Sequence, residues 1–305
     1  MRIVRAVEEL RSALAPARRE GRTIGLVPTM GALHDGHLSL IRRARRECDM
    51  VVVSLFVNPA QFDEGSDLER YPRDERRDAE LATQSGADIL FAPTVDEMYP
   101  RGFATSVEVL GITERLEGVS RGAEHFRGVS TVVTKLLGMT LPDVAYFGQK
   151  DAQQLVVIRR LVADLNLPVR IQACPTVRER DGLAMSSRNA RLDAAERSRA
   201  LALSEGLRAA TQRAAEGERS AEALLDVACA AMLARDVQPE YLELVDPDTL
   251  QPCEELEREA LLAVAARVGR TRLIDNAILR PASTSTDAVS GNETPHERHP
   301  GKAIA

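Results

Sequence analysis

Gly25-Leu-Val-Pro-Thr-Met-Gly-Ala-Leu-His-Asp-Gly-His-Leu-Ser-Leu-Ile41 runs from an apolar strand through a glycine-containing turn into a helix. The strand is expected to stop at Pro28, and His34 and His37 sit three residues apart where the helix begins. At that spacing two imidazoles share one helix face. A helix start also offers free N–H groups and about half a positive charge, a setting suited to phosphate. Gly36 has no side chain to keep a nucleotide away from the backbone. Such an arrangement can neutralise charge growing on a pyrophosphate leaving group. Two other readings stay open at this point. The histidines could be a metal pair, although no third ligand is evident and zinc helices more often use i, i+4 with a glutamate. They could also be ordinary helix-cap residues.

Outward from this stretch, short apolar runs alternate with amphipathic ones. Ile24–Val27, Met50–Val57, Asp88–Phe91, Asp143–Phe147 and Val169–Cys174 read as strands, several without alternation, as strands buried on both faces would be. Leu38–Glu47, Arg73–Ser85 and Ala152–Leu165 read as helices, and residues 1–20 also carry helical spacing. Strands separated by helices imply a parallel sheet with its ligands at the carboxyl ends of the strands. The pattern changes after Asn189. Asp193-Ala-Ala-Glu196 resembles a capping box opening an Ala-rich helix, followed by a helix over Ser220–Ala234 and short strands at Tyr241–Val245, Leu261–Val268 and Thr271–Ile274. The expected division is therefore a parallel α/β domain over 1–185 and a smaller α+β domain over 186–280. Residues 281–305, without periodicity, are expected to be a disordered tail.

Three further clusters follow expected strand ends. In Phe147-Gly-Gln-Lys-Asp-Ala-Gln-Gln154, Lys150 offers a compact cation for a phosphate, and Asp151 and Gln154 offer hydrogen bonds to hydroxyls. Taken alone, a polar turn with a solvated lysine is the better reading. In Asp181-Gly-Leu-Ala-Met-Ser-Ser-Arg-Asn189, two hydroxyls and a guanidinium could clamp triphosphate oxygens, or could be a helix cap followed by an exposed arginine. In Phe56-Val-Asn-Pro-Ala-Gln-Phe62, Asn58 and Gln61 suit a hydroxyl or carboxylate in a small pocket, although Asn-Pro is also a plain turn signal.

Composition narrows the function classes. A net charge of −6 argues against a general polyanion-binding surface, and the absence of Trp with aromatics at 3% argues against a stacking platform for nucleic acid. Cys48, Cys174, Cys229 and Cys253 form no CxxC pair, so neither a zinc framework nor a disulfide scaffold is expected. With no signal-like or membrane-length apolar run, the chain reads as cytoplasmic.

Taken together, PTMGALHDGH from residue 28, FVNPAQF from 56, YPR from 71, HFRGVSTVVTKL from 125, PDVAYFGQKDAQQ from 142, DGLAMSSRN from 181 and YLELVDPDTL from 241 resemble the pantothenate synthetase (pantoate–β-alanine ligase) family, within the adenylate-forming nucleotidyltransferases. The likeness spans about residues 1 to 280. It implies a Rossmann-like N-terminal domain, a smaller C-terminal domain and a homodimer, and the Ser-Ser-Arg loop at the domain boundary leads to the expectation that the smaller domain acts as a lid. It implies ATP and Mg²⁺, and a reaction in which pantoate is adenylated and the adenylate is then captured by β-alanine. The resemblance assigns Met30, Gly31, Ala32, Leu33, His34, Asp35, Gly36 and His37 to the nucleotide, with His37 a proton donor and His34 a phosphate contact. It also assigns Gly148, Gln149, Lys150 and Asp151 to the nucleotide, with Lys150 near the α-phosphate. Val177 would sit beside adenine, and Met185, Ser186, Ser187 and Arg188 would form a mobile phosphate loop. Gln61, Gln154, Asn58, Val132 and Val133 fall to pantoate, and Gln61 also to positioning β-alanine.

Two places depart from the family pattern. Where adjacent acidic residues linked to a metal are common, this chain has Arg76-Arg77-Asp78, and Arg121-Gly-Ala-Glu124 lacks the usual Pro-Gly. An adenylyltransferase, a class I aminoacyl-tRNA synthetase and a silent nucleotide sensor are the competing readings. A dinucleotide product would mark the first, and binding without turnover the last. The acidic chain shows no tRNA-binding extension for the second.

Overall fold

The apolar runs become the strands of one parallel sheet because both of its faces are covered. The computed structural model describes residues 1–62, 68–69 and 71–282. Its large sheet holds β1 Arg2–Val4, β2 Ile24–Thr29, β3 Met50–Leu55, β4 Ile89–Phe91, β5 Val144–Gly148 and β6 Arg170–Cys174, in the order β1-β4-β3-β2-β5-β6. Alternate residues go to opposite faces. Ile24, Leu26, Val52, Ala145 and Phe147 pack on one side, against α1 Val7–Arg19, α5 Glu117–Thr140 and α6 Ala152–Asp164. Val27, Val51, Val53, Val144 and Tyr146 pack on the other, against α2 Asp35–Glu47 and α3 Glu75–Gln84. A short α4, Val95–Met98, precedes α5.

The strand order places the site. From β2 the chain winds through β3 to β4 on one side, then returns to β5 on the other side of β2. At such a reversal the loops leaving two neighbouring strands part, and a crevice opens at their carboxyl ends. Here those loops are 30–34, after β2, and 149–151, after β5.

A second sheet is antiparallel, β7 Pro239–Val245, β8 Ala260–Val268 and β9 Thr271–Leu279 in that order, and carries α7 Ala194–Ala215 and α8 Ala221–Leu233. The α7 start is a capping box: Asp193 accepts from the Glu196 N–H while the Glu196 carboxylate accepts from the Asp193 N–H. The α/β class with a smaller α+β unit is thus present.

Several boundaries differ from expectation. The first central strand runs through Pro28 to Thr29, which stay in register with Ser54 and Leu55; β3 ends at Leu55, not Val57; and β9 extends to Leu279 because it pairs with β8 along its whole length. The helix expected from Arg73 starts after Asp74, whose side chain accepts from the Arg77 N–H as an N-cap. The longest helix, α5, and the edge strand β1 were not expected at all. Residues 283–305, most of the expected tail, lie outside the described residues. Among the described residues no helix is long and apolar enough to cross a membrane, and the four cysteines are free.

Candidate active site

Loop 30–34 is preset before any ligand arrives. Gly31 and Ala32 both have positive φ, 90° and 51°. For Ala32 this left-handed conformation is strained. The buried Asp78 on α3 holds it: one carboxylate oxygen accepts from the Ala32 N–H at 2.9 Å and the other from the Leu33 N–H at 2.7 Å. Burial pushes the Asp78 carboxyl up, opposed by those two bonds. Thr29 Oγ accepts from the Gly31 N–H at 3.3 Å and donates to Ser54 at 2.8 Å, tying the loop to β3.

At the start of α2, His34 is the N-cap, its Nδ1 accepting from the Gly36 N–H at 3.2 Å. That bond assigns the His34 proton to Nε2. The His37 ring lies 4.1 Å from the His34 ring, centroid to centroid, and its Nδ1 is buried with no partner among the described residues. Contact with a ligand therefore falls to Nε2. Burial first, and the His34 ring next, hold His37 down to about 3, so it is neutral near pH 7. Burial and then the Lys150 charge also lower His34. Gly36 has a structural role as well. A Cβ there would lie 2.8 Å from the His34 ring, so the missing side chain makes room for that imidazole.

One cleft of about 870 Å³ gathers most of the expected residues at the β2–β5 reversal. Met30, His34, Gly36 and His37 line it from the first loop, and Gly148, Lys150, Asp151 and Gln154 from the β5 side. Val177 and the loop Met185, Ser186, Ser187 and Arg188 close another side. The Met185 N–H donates to the Val177 carbonyl at 2.9 Å, so these two distant positions meet through a hairpin, and Ser186 Oγ caps the following turn by accepting from the Arg188 N–H.

Gly31, Ala32, Leu33, Asp35 and Gln149 do not line the cleft. Leu33 is core, Asp35 is exposed at the first helical turn, and Gly31 and Ala32 shape the loop through their backbone. Gln149 takes part through its carbonyl, which accepts from the Asn276 side chain.

An apolar subsite with amides adjoins the nucleotide side. Val132 and Val133 on α5 line it and belong to the sheet core as well. Gln61 is held by a chain of contacts: Tyr99 Oη donates to Asn58 Oδ1 at 2.7 Å, Asn58 Nδ2 donates to Gln61 Oε1 at 3.0 Å, and Gln61 Nε2 meets Met30 Sδ at 2.9 Å. Asn58 is 1% exposed and also donates to the Gly128 carbonyl at 3.1 Å, so its polar atoms are spent inside the protein. It borders the cleft and fixes the side chain of Gln61 there.

Several residues of the site carried no signal strong enough to single them out. Glu117 at the head of α5 is buried and accepts from Arg272 on β9, Arg121 and Tyr241 on β7. Burial acts to raise its pKa, but the Arg272 bond and the charges of Arg121 and Arg272 outweigh it and bring it to about 2. Gln153, next to the expected Gln154, is buried, accepting from the Glu117 N–H and donating to the carbonyls of Ile112 and Arg115. Asp275 and Asn276 on β9 are buried polar residues that border the same cleft.

The residues fit no protein-held metal. Among the described residues no group of three or more His, Cys, Asp or Glu could hold an ion, both oxygens of Asp78 are occupied by backbone N–H groups, and Nδ1 of His34 is taken by Gly36.

A parallel sheet with a phosphate-ready helix start and a lysine at its reversal point defines an α/β enzyme that works on a nucleotide. The family model described as pantoate-beta-alanine ligase matches residues 2–278. A pantothenate synthetase of Cereibacter sphaeroides is 54% identical over 274 residues, covering 90% of this chain and 98% of its own. The crystal structure of pantothenate synthetase from Thermus thermophilus superposes with a TM-score of 0.87 at 47% identity, over 92% of this chain and 100% of its own. That of the Francisella tularensis pantoate-beta-alanine ligase, complexed with beta-gamma ATP and beta-alanine, gives 0.76 at 34% identity, over 91% and 97%. The chain belongs to the pantoate–β-alanine ligase family.

Proposed function

We propose that this cleft ligates pantoate to β-alanine, in pantothenate biosynthesis, in two steps at one place. A pantoate carboxylate oxygen attacks the α-phosphorus of ATP and pyrophosphate leaves. The β-alanine amine then attacks the acyl carbon of the adenylate, and AMP leaves. The observation that carries this reading is the close His34–His37 pair at the α2 start, with Lys150 across the same cleft and an amide-lined apolar subsite beside it.

Each role follows from chemistry. Neutral imidazoles donate N–H bonds to phosphate oxygens, so His34 and His37 stabilise the charge that grows on pyrophosphate; His37 serves as a hydrogen-bond donor, since its depressed pKa leaves no proton to transfer in the free enzyme. Lys150 adds a cation at the α-phosphate. Ser186, Ser187 and Arg188 clamp the outer phosphates, while Val177 and Met185 flank the base. Gln61 and Gln154 bind pantoate polar groups between Val132 and Val133, fixing the attacking oxygen, which is the part of the barrier that orientation removes. Mg²⁺ enters as the counterion of the ATP substrate. The protein works in the cytoplasm as a homodimer, and the 186–280 unit closes over the 1–185 unit as a lid.

The test follows pyrophosphate, AMP and pantothenate from MgATP and pantoate, with and without β-alanine. A pyrophosphate burst with pantoate alone and sustained AMP and pantothenate with both substrates is expected. No reaction with pantoate in a folded protein that binds ATP would overturn the assignment. The lid is tested separately: ATP plus pantoate should compact the small-angle scattering profile and protect residues 181–191 from protease, and no change in either would remove it.

A further inference from the structure

We infer that Asn276, on the last strand of the C-terminal sheet, is a positioning residue for Lys150. This rests on the Lys150 role proposed above. The Asn276 amide nitrogen donates to the Gln149 carbonyl at 2.9 Å and to the Lys150 carbonyl at 2.8 Å. An amide nitrogen has two hydrogens, so both are spent on the backbone that carries the lysine. The side chain is buried, although it borders the cleft.

The turn it grips is not capped by its own side chains, among which Lys150 Nζ approaches Asp151 Oδ1 at 3.7 Å. Gly148 offers no cap to residues 149–151, and Asp151, at the head of α6, makes no side-chain cap bond. The clamp therefore comes from the other sheet. It is itself held: Asp275 accepts from Arg178 at 2.6 and 3.0 Å, and its Oδ1 accepts from the Asn276 N–H at 2.8 Å. Arg178 belongs to the hairpin that leads to Ser186, and also donates to the Gly182 carbonyl at 3.1 Å. One dipeptide of β9 thus ties the lysine turn and the phosphate hairpin to a common support. A lysine has a long flexible stem, so the orientation of its backbone sets the region its ammonium can reach, and displacements near 1 Å cost about 100-fold in rate.

A double-mutant cycle tests this, read as pantoate-dependent exchange of pyrophosphate into ATP, with thermal melts to confirm folding. Asn276→Ala is expected to lower kcat by about 10- to 100-fold with the pantoate KM nearly unchanged. In the Lys150→Ala background the same change should alter the rate by no more than about threefold, since the group it positions is gone. Equal losses in both backgrounds, or a wild-type rate in Asn276→Ala, would overturn the proposal. If Asn276→Ala does not fold, Asn276→Asp, nearly the same shape but without the donors, is read by the same two criteria. A Lys150→Ala rate near wild type would instead sink the lysine assignment, so the two failures are distinguishable.

Discussion

Near pH 7 His37 is a neutral donor, and this has two measurable consequences. Replacing it or Lys150 with alanine should slow adenylate formation by about 3 kcal/mol, the usual cost of one donor to a developing oxyanion, while the melting temperature stays close to that of the parent. Pyrophosphate exchange reads the first and calorimetry the second; near-normal exchange in either variant contradicts its role. The second concerns stability. With its pKa lowered from 6.5 to about 3, folded His37 binds no proton in a range where the unfolded chain does. Its contribution is complete above the unfolded value and declines as pH falls through that window. Urea midpoints at about pH 7 and about pH 5 should therefore differ less in His37→Ala than in the parent. Asp78 gives a third case. Asp78→Asn puts an NH₂ against a backbone N–H, costing about 1–3 kcal/mol and weakening ATP binding. Because the carboxylate holds the loop and not an ion, the Mg²⁺ concentration for half-maximal rate should not move. A rise in it would restore the metal reading.

At the scale of elements, α5 shows both what could be read and what could not. Its buried side chains, from Phe126 to Thr140, face several neighbours, so no single apolar stripe appears. Gly122, at φ 76°, breaks it near its start, and glycines and β-branched residues dilute its helical propensity. The central strands β2, β3, β4 and β5 were legible for the opposite reason: burial on both faces leaves unbroken apolar runs whose meaning does not depend on partners. The site divides the same way. His34, His37, Lys150 and Ser186 to Arg188 stand in local motifs after strands, whereas Glu117, Asp78 and Asn276 act on residues far away in sequence. Gly128 marks a close approach of α5 to the 59–61 turn. A Cβ there would lie 2.1 Å from the Ala60 carbonyl oxygen. Gly128→Ala must push α5 from the 59–61 turn, at a cost of about 1–3 kcal/mol. Because that turn holds Asn58 and Gln61, KM for pantoate should rise more than KM for ATP, and equal rises would show that the strain spreads elsewhere.

For the whole molecule, the charged cluster at Glu117 joins the two sheets. Glu117→Gln takes from Arg272 and Arg121 their shared buried anion, but Arg272 keeps Glu240, so the cost should fall below the about 3–5 kcal/mol of a buried charge left unpaired. The expected result is a lower melting temperature and faster amide exchange in β9 and residues 178–191, with β2 and β3 little affected. Uniform acceleration across both sheets would mean that the cluster stabilises the molecule as one cooperative unit. The last described strand has a further consequence for how the protein comes into being. Chains generally fold as they emerge, amino-terminal units first. All six strands of the large sheet are complete once Cys174 has been made, yet the amide that grips Lys150 arrives a hundred residues later, at Asn276. A ribosome-bound nascent chain can therefore hold a finished nucleotide fold whose lysine turn is still unanchored. The lysine turn acquires its anchor only once the second sheet has been made.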